Sequence, residues 1–206
     1  MNQLAESSQR IVPQQPRAKQ RIALILQAAE HLLAAGDEVN TSSISRQAGI
    51  PVGSIYRYFP NMLGIYRSLF EDINGQLRDK IEAVVENARP EQTWDMLFDE
   101  ILAAAMALYS QRPGYGNLLF AMSVPALLEV RQDCIDKTSE IFASRWREGH
   151  DGFHDGDVDE VAVTASRLFT FMEQCYFEAL LSERATTPVE ETVKALKAYL
   201  SIYLRA

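Results

Sequence analysis

Apolar residues recur at steps of three and four along most of this chain, and Pro and Gly divide the pattern into helical blocks without a convincing strand. The first block runs from about Arg17 to Ala35, with Ile22, Ile25, Leu26, Ala28, Ala29 and Leu32 on its apolar side and Gly36 as its C-cap. Two short helices are predicted within residues 41–60. Ile44 and Ala48 mark the inner face of one, Ile55 and Phe59 that of the other, with Gly49, Ile50 and Pro51 between them. Asn61 can cap a long fourth helix carrying Tyr66, Phe70, Ile73, Leu77, Ile81 and Val84, which ends at Arg89-Pro90. A fifth helix breaks at Arg112-Pro113-Gly114, a short piece spans about Tyr115 to Met122, and another helix extends to about Glu148.

The last two blocks predict assembly. Asp157 with Glu160, and Thr187-Pro188-Val189-Glu190, have the spacing of capping boxes. The eighth helix carries a stripe of Val161, Ala165, Leu168, Met172, Cys175 and Ala179. Phe169, Phe171, Tyr176, Phe177 and Leu180 widen it almost around the helix. The ninth adds Val189, Val193, Leu196, Leu200 and Tyr203. A helix that is apolar on most sides must be covered on most sides. The economical cover is a second copy, which predicts a homodimer whose interface takes Val161, Ala165, Leu168, Met172, Val193, Leu196, Leu200 and Tyr203.

Residues 41–60, TSSISRQAGIPVGSIYRYFP, carry the clearest functional signal. Two helices joined by a tight Gly-containing turn are the layout of a helix-turn-helix. After the apolar faces are assigned, Ser54, Tyr56, Arg57 and Tyr58 project from the second helix, and Ser42, Ser43 and Arg46 from the first. Hydroxyls, an Arg and small residues suit a surface laid against phosphates and base edges.

Ala48-Gly49-Ile50 followed by Gly53-Ser54-Ile55-Tyr56-Arg57-Tyr58-Phe59-Pro60 closely resembles the signature of tetracycline-repressor (TetR) family regulators, and the match extends over about residues 17–70. The resemblance implies an all-α protein. Residues 1–16 would be a tail, 17–60 a helix-turn-helix DNA-binding domain, and 61–206 a helical effector-binding and dimerisation domain. It further implies that Val52, Gly53, Ser54 and Arg57 face bases or the groove floor, and that Thr41, Ser42, Tyr56 and Tyr58 hold phosphates. Arg46 is left between a phosphate contact and a surface ion pair. One position departs from the pattern. Where the family usually has a Lys that meets the DNA backbone, this chain has Met62.

Charge refines the picture. The net charge of −8 divides unevenly: residues 1–60 have six basic against four acidic residues, and the remainder fourteen against twenty-four. The basic excess therefore lies in the part expected on DNA, and residues 10–21 hold four basic residues and no acid. No apolar run approaches the ~20 residues of a membrane span, and Cys134 and Cys175 lack metal or redox spacing. These features predict a cytoplasmic protein with reduced thiols. Gly149–Asp157 holds two His and three Asp, but its spacing fits neither a zinc site nor an EF-hand, so it is expected to be a solvated linker ending in the Asp157 cap. No catalytic motif and no cofactor motif is present.

Aromatic and Met side chains on the later helices are expected to surround a small-molecule effector. The candidates are Phe98, Met106, Tyr109, Phe120, Phe142, Trp146, Phe169, Met172 and Tyr176, with Trp94 and Met122 beside them and Arg145, Glu173 or Gln174 as polar partners. The sequence thus predicts a regulator, most simply a dimeric repressor released from a palindromic operator by a small molecule. The alternative is a helical ligand-binding or protein-interaction module that has lost DNA binding, which Met62 alone favours.

Overall fold

The computed structural model describes residues 16–122, 124–182 and 187–205. Nine α-helices and no strand occur among them: α1 (Pro16–Ala35), α2 (Thr41–Ala48), α3 (Val52–Tyr58), α4 (Met62–Glu86), α5 (Trp94–Gln111), α6 (Tyr115–Ala121), α7 (Val124–Arg147), α8 (Val158–Leu181) and α9 (Thr187–Leu200). The punctuation expected from sequence operates as capping chemistry. Gly36 takes the left-handed conformation at φ 70°, and Asp37 N–H returns to the Leu32 carbonyl at 3.0 Å. Asn61 Oδ1 accepts from Gly64 N–H at 2.9 Å, and Asp157 Oδ1 accepts from the Asp159 and Glu160 amides at 2.9 and 3.0 Å. The second expected capping box rests on the side chains of Thr187 and Pro188, which lie outside the described residues.

The chain packs as two compact units, and their division differs from the expected boundary after residue 60. One unit comprises the residues up to Ile73 with Tyr109–Val130; the other comprises Asn74–Leu108 and Arg131–Ala206. Three helices therefore serve both units: α4 divides after Ile73, α5 after Leu108 and α7 after Val130.

In the first unit, Ile22, Ile25, Ala28, Ala29 and Leu32 of α1 meet Ile44, Ile50, Ile55, Phe59 and Ile65, all buried. Each large aliphatic side chain so buried contributes roughly 1.5–3 kcal/mol. The α5–α6 corner is locked onto the end of α1. Arg112 donates from Nε and one terminal nitrogen to the two oxygens of Glu30 at 2.6 and 2.9 Å, and to Asp72 at 3.1 Å. Those hydrogen bonds outweigh the desolvation of the guanidinium and hold its pKa above the usual value. Asn117 Nδ2 donates to the Leu33 carbonyl at 2.7 Å. Phe70, Tyr109 and Tyr115 pack as an aromatic row, with Tyr115 fully buried.

In the second unit, α8 and α9 pack on α5 and α7 through Phe98, Ala143, Trp146, Val161, Ala162, Ala165, Leu196, Leu200 and Leu204. Lys197 bridges α9 to α5, 2.9 Å from Asp95 and 2.7 Å from Asp99. Burial, with the Asp133 and Glu173 carboxylates adding to it, pushes the Cys134 thiol up to about 12, so it stays protonated and unreactive at neutral pH.

Gly114 is where α6 approaches α1 most closely. A Cβ there would lie 2.6 Å from the Glu30 carbonyl oxygen and 3.2 Å from Leu33 Cβ. Gly114→Ala should therefore push α6 off α1 and destabilise the first unit by about 1–3 kcal/mol. Urea denaturation followed by circular dichroism measures this, and an unchanged midpoint would show that the corner yields freely.

Candidate nucleic-acid interface and ligand cavity

The local fold of residues 40–59 is dictated by polar groups as much as by the core. Asn40 is the N-cap of α2, and its Oδ1 accepts from the amides of Ser42 and Ser43, both at 2.9 Å. Ser43 completes a capping box by accepting from Asn40 N–H at 2.9 Å while its hydroxyl reaches the Glu38 carbonyl at 2.8 Å. Ser43 is thus buried and occupied, not projected outward as its place in the sequence pattern suggested. Gly49 closes α2 at φ 66°, and the Ser45 hydroxyl binds the Ile50 carbonyl at 2.6 Å, fixing the turn. The Pro51 carbonyl then opens α3 by accepting from Ser54 and Ile55.

This frame presents Ser42, Arg46, Gly53 and Arg57 to solvent, with Thr41, Val52 and Ser54 half-buried beside them. Tyr56 is 52% exposed, and its hydroxyl lies 3.4 Å from Thr41 Oγ1. Two hydroxyls, from the start of α2 and from the outer face of α3, are thereby brought together. Tyr58 is half-buried and packs against the first unit's core, as does Met62, so both turn apolar surface inward. Asn40 escaped the sequence reading, although an Asn directly before Thr-Ser-Ser at a helix start is the signal for an N-cap.

The second unit contains a cavity. The centre of a water molecule can move through about 50 Å³ of it, and its empty space is about 570 Å³ when the part open to solvent is counted. Ile81 of α4 and Leu97, Phe98 and Ile101 of α5 line it, with Thr138, Phe142 and Trp146 of α7. Ala165, Ser166 and Phe169 of α8, Leu196 and Leu200 of α9, and Trp94, Asp151 and Leu204 complete the wall.

Of the effector residues expected from sequence, Phe98, Phe142, Trp146 and Phe169 stand in this wall, as does Trp94. The others do not. Tyr109 is stacked on Tyr115 in the first unit, Phe120 is 54% exposed on α6, and Met172 is fully buried in the packing of α8. Tyr176 lies edge-on to Phe177, and Met106 is half-buried outside the cavity. Met122 is buried in the first unit. Helical periodicity marks which residues turn inward, but not which of them border an empty space.

The expected dimer surface needs a similar correction. Val161, Ala165, Met172, Leu196 and Leu200 are buried within the single chain, and Ala165, Leu196 and Leu200 line the cavity. They are committed to the subunit's own core. Leu168, Val193 and Tyr203 are half-buried. The outer line of α8 instead carries Thr164, Leu168, Phe171 and Cys175, with Phe171 54% exposed, and that of α9 carries Ala195, Ala198 and the following Ile202, 58% exposed.

The Gly149–Asp157 segment is more than a solvated linker. Asp151 adopts φ 58°, a left-handed conformation uncommon outside Gly, and its carboxylate is 4% exposed. It accepts from Arg145 at 2.7 and 2.8 Å and from Trp146 Nε1 at 3.2 Å, while its own carbonyl accepts from Arg205 N–H at 3.1 Å. The turn thereby ties the end of α7 to the segment after α9. Ser166 Oγ, in contrast, is buried and makes no hydrogen bond among the described residues.

A capped helix-turn-helix at one end of a helical chain, with an apolar chamber elsewhere in it, defines the general class of the protein. Residues 25–69 match the sequence profile of bacterial regulatory proteins of the tetR family. The chain is 23% identical over 174 residues to the nucleoid occlusion factor SlmA of Vibrio vulnificus, covering 83% of this chain and 74% of that protein. Its fold is similar to a TetR-family transcriptional regulator from Streptomyces coelicolor, at 22% identity and a TM-score of 0.64, covering 89% of this chain and 99% of that one. It is also similar to SmeT in its triclosan complex, at 15% identity and a TM-score of 0.63, covering 90% of this chain and 92% of that one. Residues 25–69 thus carry a tetR-type helix-turn-helix segment, and the chain as a whole shares its fold with TetR-family regulators.

Tyr56 and Arg57 are both exposed on α3, and the roles expected of them from sequence, phosphate contact and base contact, are separable by experiment. Tyr56→Phe should weaken binding to every DNA sequence by a similar factor, because a phosphate contact carries no sequence information. Arg57→Ala should instead relax preference at one or two positions per half-site, removing roughly 1–3 kcal/mol of discrimination. Fluorescence anisotropy against a panel of single-base operator variants distinguishes the two, and a uniform loss for Arg57→Ala would move it to the phosphate class.

Proposed function

We propose that this protein is a sequence-specific DNA-binding transcriptional regulator that binds a palindromic operator as a homodimer and is released from it by a small molecule. The observation that carries the reading is the Thr41–Tyr56 hydroxyl pair set beside exposed Arg57 and Gly53 on a helix-turn-helix whose first helix is capped at both ends. Such a rigid frame supports a reading head because its polar groups need no reordering on binding. Two-fold symmetry puts the recognition helices of the dimer about 34–36 Å apart, one turn of the duplex. Met62, packed on the core, supplies no phosphate contact, so hydroxyls and the helix ends hold the backbone instead.

Ligand control follows from continuity. Helices α4, α5 and α7 all contribute cavity-lining residues in the second unit and all continue into the first, where the α5–α6 corner grips α1 through Arg112 and Glu30. A molecule that fits the cavity better in one arrangement of these helices than in another shifts the population toward it, and the operator affinity with it.

A second reading comes from the likeness to the nucleoid occlusion factor SlmA, which extends well beyond the helix-turn-helix. In that reading the protein binds DNA without regulating particular promoters.

The two are tested together by selecting bound sequences from random duplex DNA, with Tyr56 and Arg57 both changed to Ala as the control. An enriched palindrome absent from the control is the expected outcome. Sites concentrated upstream of a few genes would support promoter regulation, and sites scattered along the chromosome would support the second reading. No enrichment at low salt would overturn both.

For assembly, the proposed surface is the outer line of α8 and α9. Phe171→Glu or Ile202→Glu should convert dimer to folded monomer in sedimentation velocity. Persistent dimers in both variants would place the interface elsewhere.

A further inference from the structure

We infer that the cavity of the second unit is a site for a small, uncharged aromatic molecule bearing one hydrogen-bonding oxygen, of the phenol class, with that oxygen on Ser166 Oγ. This deepens the effector reading proposed above and rests on it only for the regulatory consequence, not for binding.

Three features of the wall carry the inference. The first is its shape and polarity. Trp94, Phe98, Phe142, Trp146 and Phe169 all face the cavity, with Phe142 and Trp146 ring centroids 6.0 Å apart. Flat rings gain from offset and edge-to-face contact with such walls. Space through which a water centre moves over about 50 Å³ is several times the ~10–15 Å³ one ordered water needs. It suits one ring, with the half-buried Trp94 and Phe169 at its border able to adjust.

The second feature is charge. The one ionisable group in the wall, Asp151, is already neutralised: Arg145 engages both of its oxygens and Trp146 Nε1 adds a third bond. A ligand ion would enter an apolar chamber with no counter-charge left to meet it, which is strongly unfavourable. The ligand is therefore neutral.

The third feature is Ser166. The residue is 5% exposed, it lines this cavity, and its hydroxyl has no partner among the described residues. Buried polar groups are nearly always satisfied, so an orphan on a ligand-sized space marks where a ligand atom belongs. A serine hydroxyl both donates and accepts, which fits a phenolic O–H as well as a carbonyl.

Both of the chain's tryptophans, Trp94 and Trp146, line the cavity, so their fluorescence reports its occupancy directly. The full-length protein, without DNA, is titrated with phenol, toluene and benzoate. Phenol should saturate, toluene should bind roughly tenfold more weakly for want of one hydrogen bond, and benzoate should not bind. Ser166→Ala should bring phenol to the affinity of toluene while leaving toluene unchanged, and the ligand-free variant should melt at a higher temperature than the parent. Equal affinities for phenol and toluene in the parent would overturn the role of Ser166, tightest binding of benzoate would overturn the neutrality, and no saturation by any of the three would overturn the aromatic site. None of these outcomes bears on operator selection, which stands or falls separately. Phenol binding through Ser166 that leaves operator affinity unchanged would sustain the site and remove the effector reading.

Discussion

The Arg112–Glu30 pair is the interaction on which the first unit depends. Both side chains are largely withdrawn from water, at 13% and 15% exposure, and two parallel bonds join them in the fork geometry that only a guanidinium offers a carboxylate. Removing either partner would leave the other charge without compensation in a place of low dielectric, a much larger loss than breaking an exposed pair. The bond joins the C-terminal part of α1, which forms one wall of the helix-turn-helix core, to the turn between α5 and α6. Asn117 on the Leu33 carbonyl and the bare backbone of Gly114 against the Glu30 carbonyl make the same junction tight. A DNA-binding head needs fixed side chains, and this junction fixes the helix on which they are built.

The second unit solves the opposite problem, keeping space open in a core. Protein interiors close-pack, so a chamber persists only where its walls are held from outside. Asp151 supplies one such hold. Its left-handed backbone, set between Gly149 and Gly152, aims the carboxylate at Arg145 and Trp146 while its carbonyl takes the amide after α9. A strained residue persists where its surroundings over-determine it, and here Arg145, Trp146 and Arg205 do so. Lys197 between Asp95 and Asp99 holds the other side by pinning α9 to α5. The wall is mostly apolar, and its one carboxylate, Asp151, is taken up by Arg145 and Trp146.

Much of this was legible in the sequence, for identifiable reasons. Helix count and ends were readable because Gly36, Asn61 and Asp157 are residues whose local bonding decides the matter within four positions. The reading head was readable because a helix-turn-helix constrains small, apolar and aromatic positions over a short span. Ser43 was misplaced because its hydroxyl binds backbone that only the folded turn brings near. The dimer surface was misplaced because burial is shared. Leu196 and Leu200 look like unclaimed apolar surface until α5 and α7 arrive from far along the chain to cover them. Asp151 looked like one more acid in a Gly-rich loop, since nothing local announces that Arg145 and Arg205 will close on it. Contacts made by the folded backbone, some local and some from far along the chain, decide these cases, and periodicity carries no information about them.

The distribution of charge then bears on how the head can hold DNA. The first sixty residues exceed neutrality by only two positive charges, and Met62 turns inward at a position where a cation is usual in the family. If these are the cations that meet DNA, few counterions are displaced on binding, and the sequence-independent part of the affinity is expected to be small and to fall weakly with salt. Discrimination between sites does not suffer in the same measure. It resides in groups that reach base edges, the role proposed for Arg57, Ser54 and Gly53 on α3. A protein with weak general attraction and intact base readout spends less of its time on irrelevant DNA. The acidic remainder of the chain acts in the same direction by repelling the duplex except where the head presents its face. The substitution that looks like a lost contact therefore reads equally well as a gain in selectivity, obtained at the expense of total affinity.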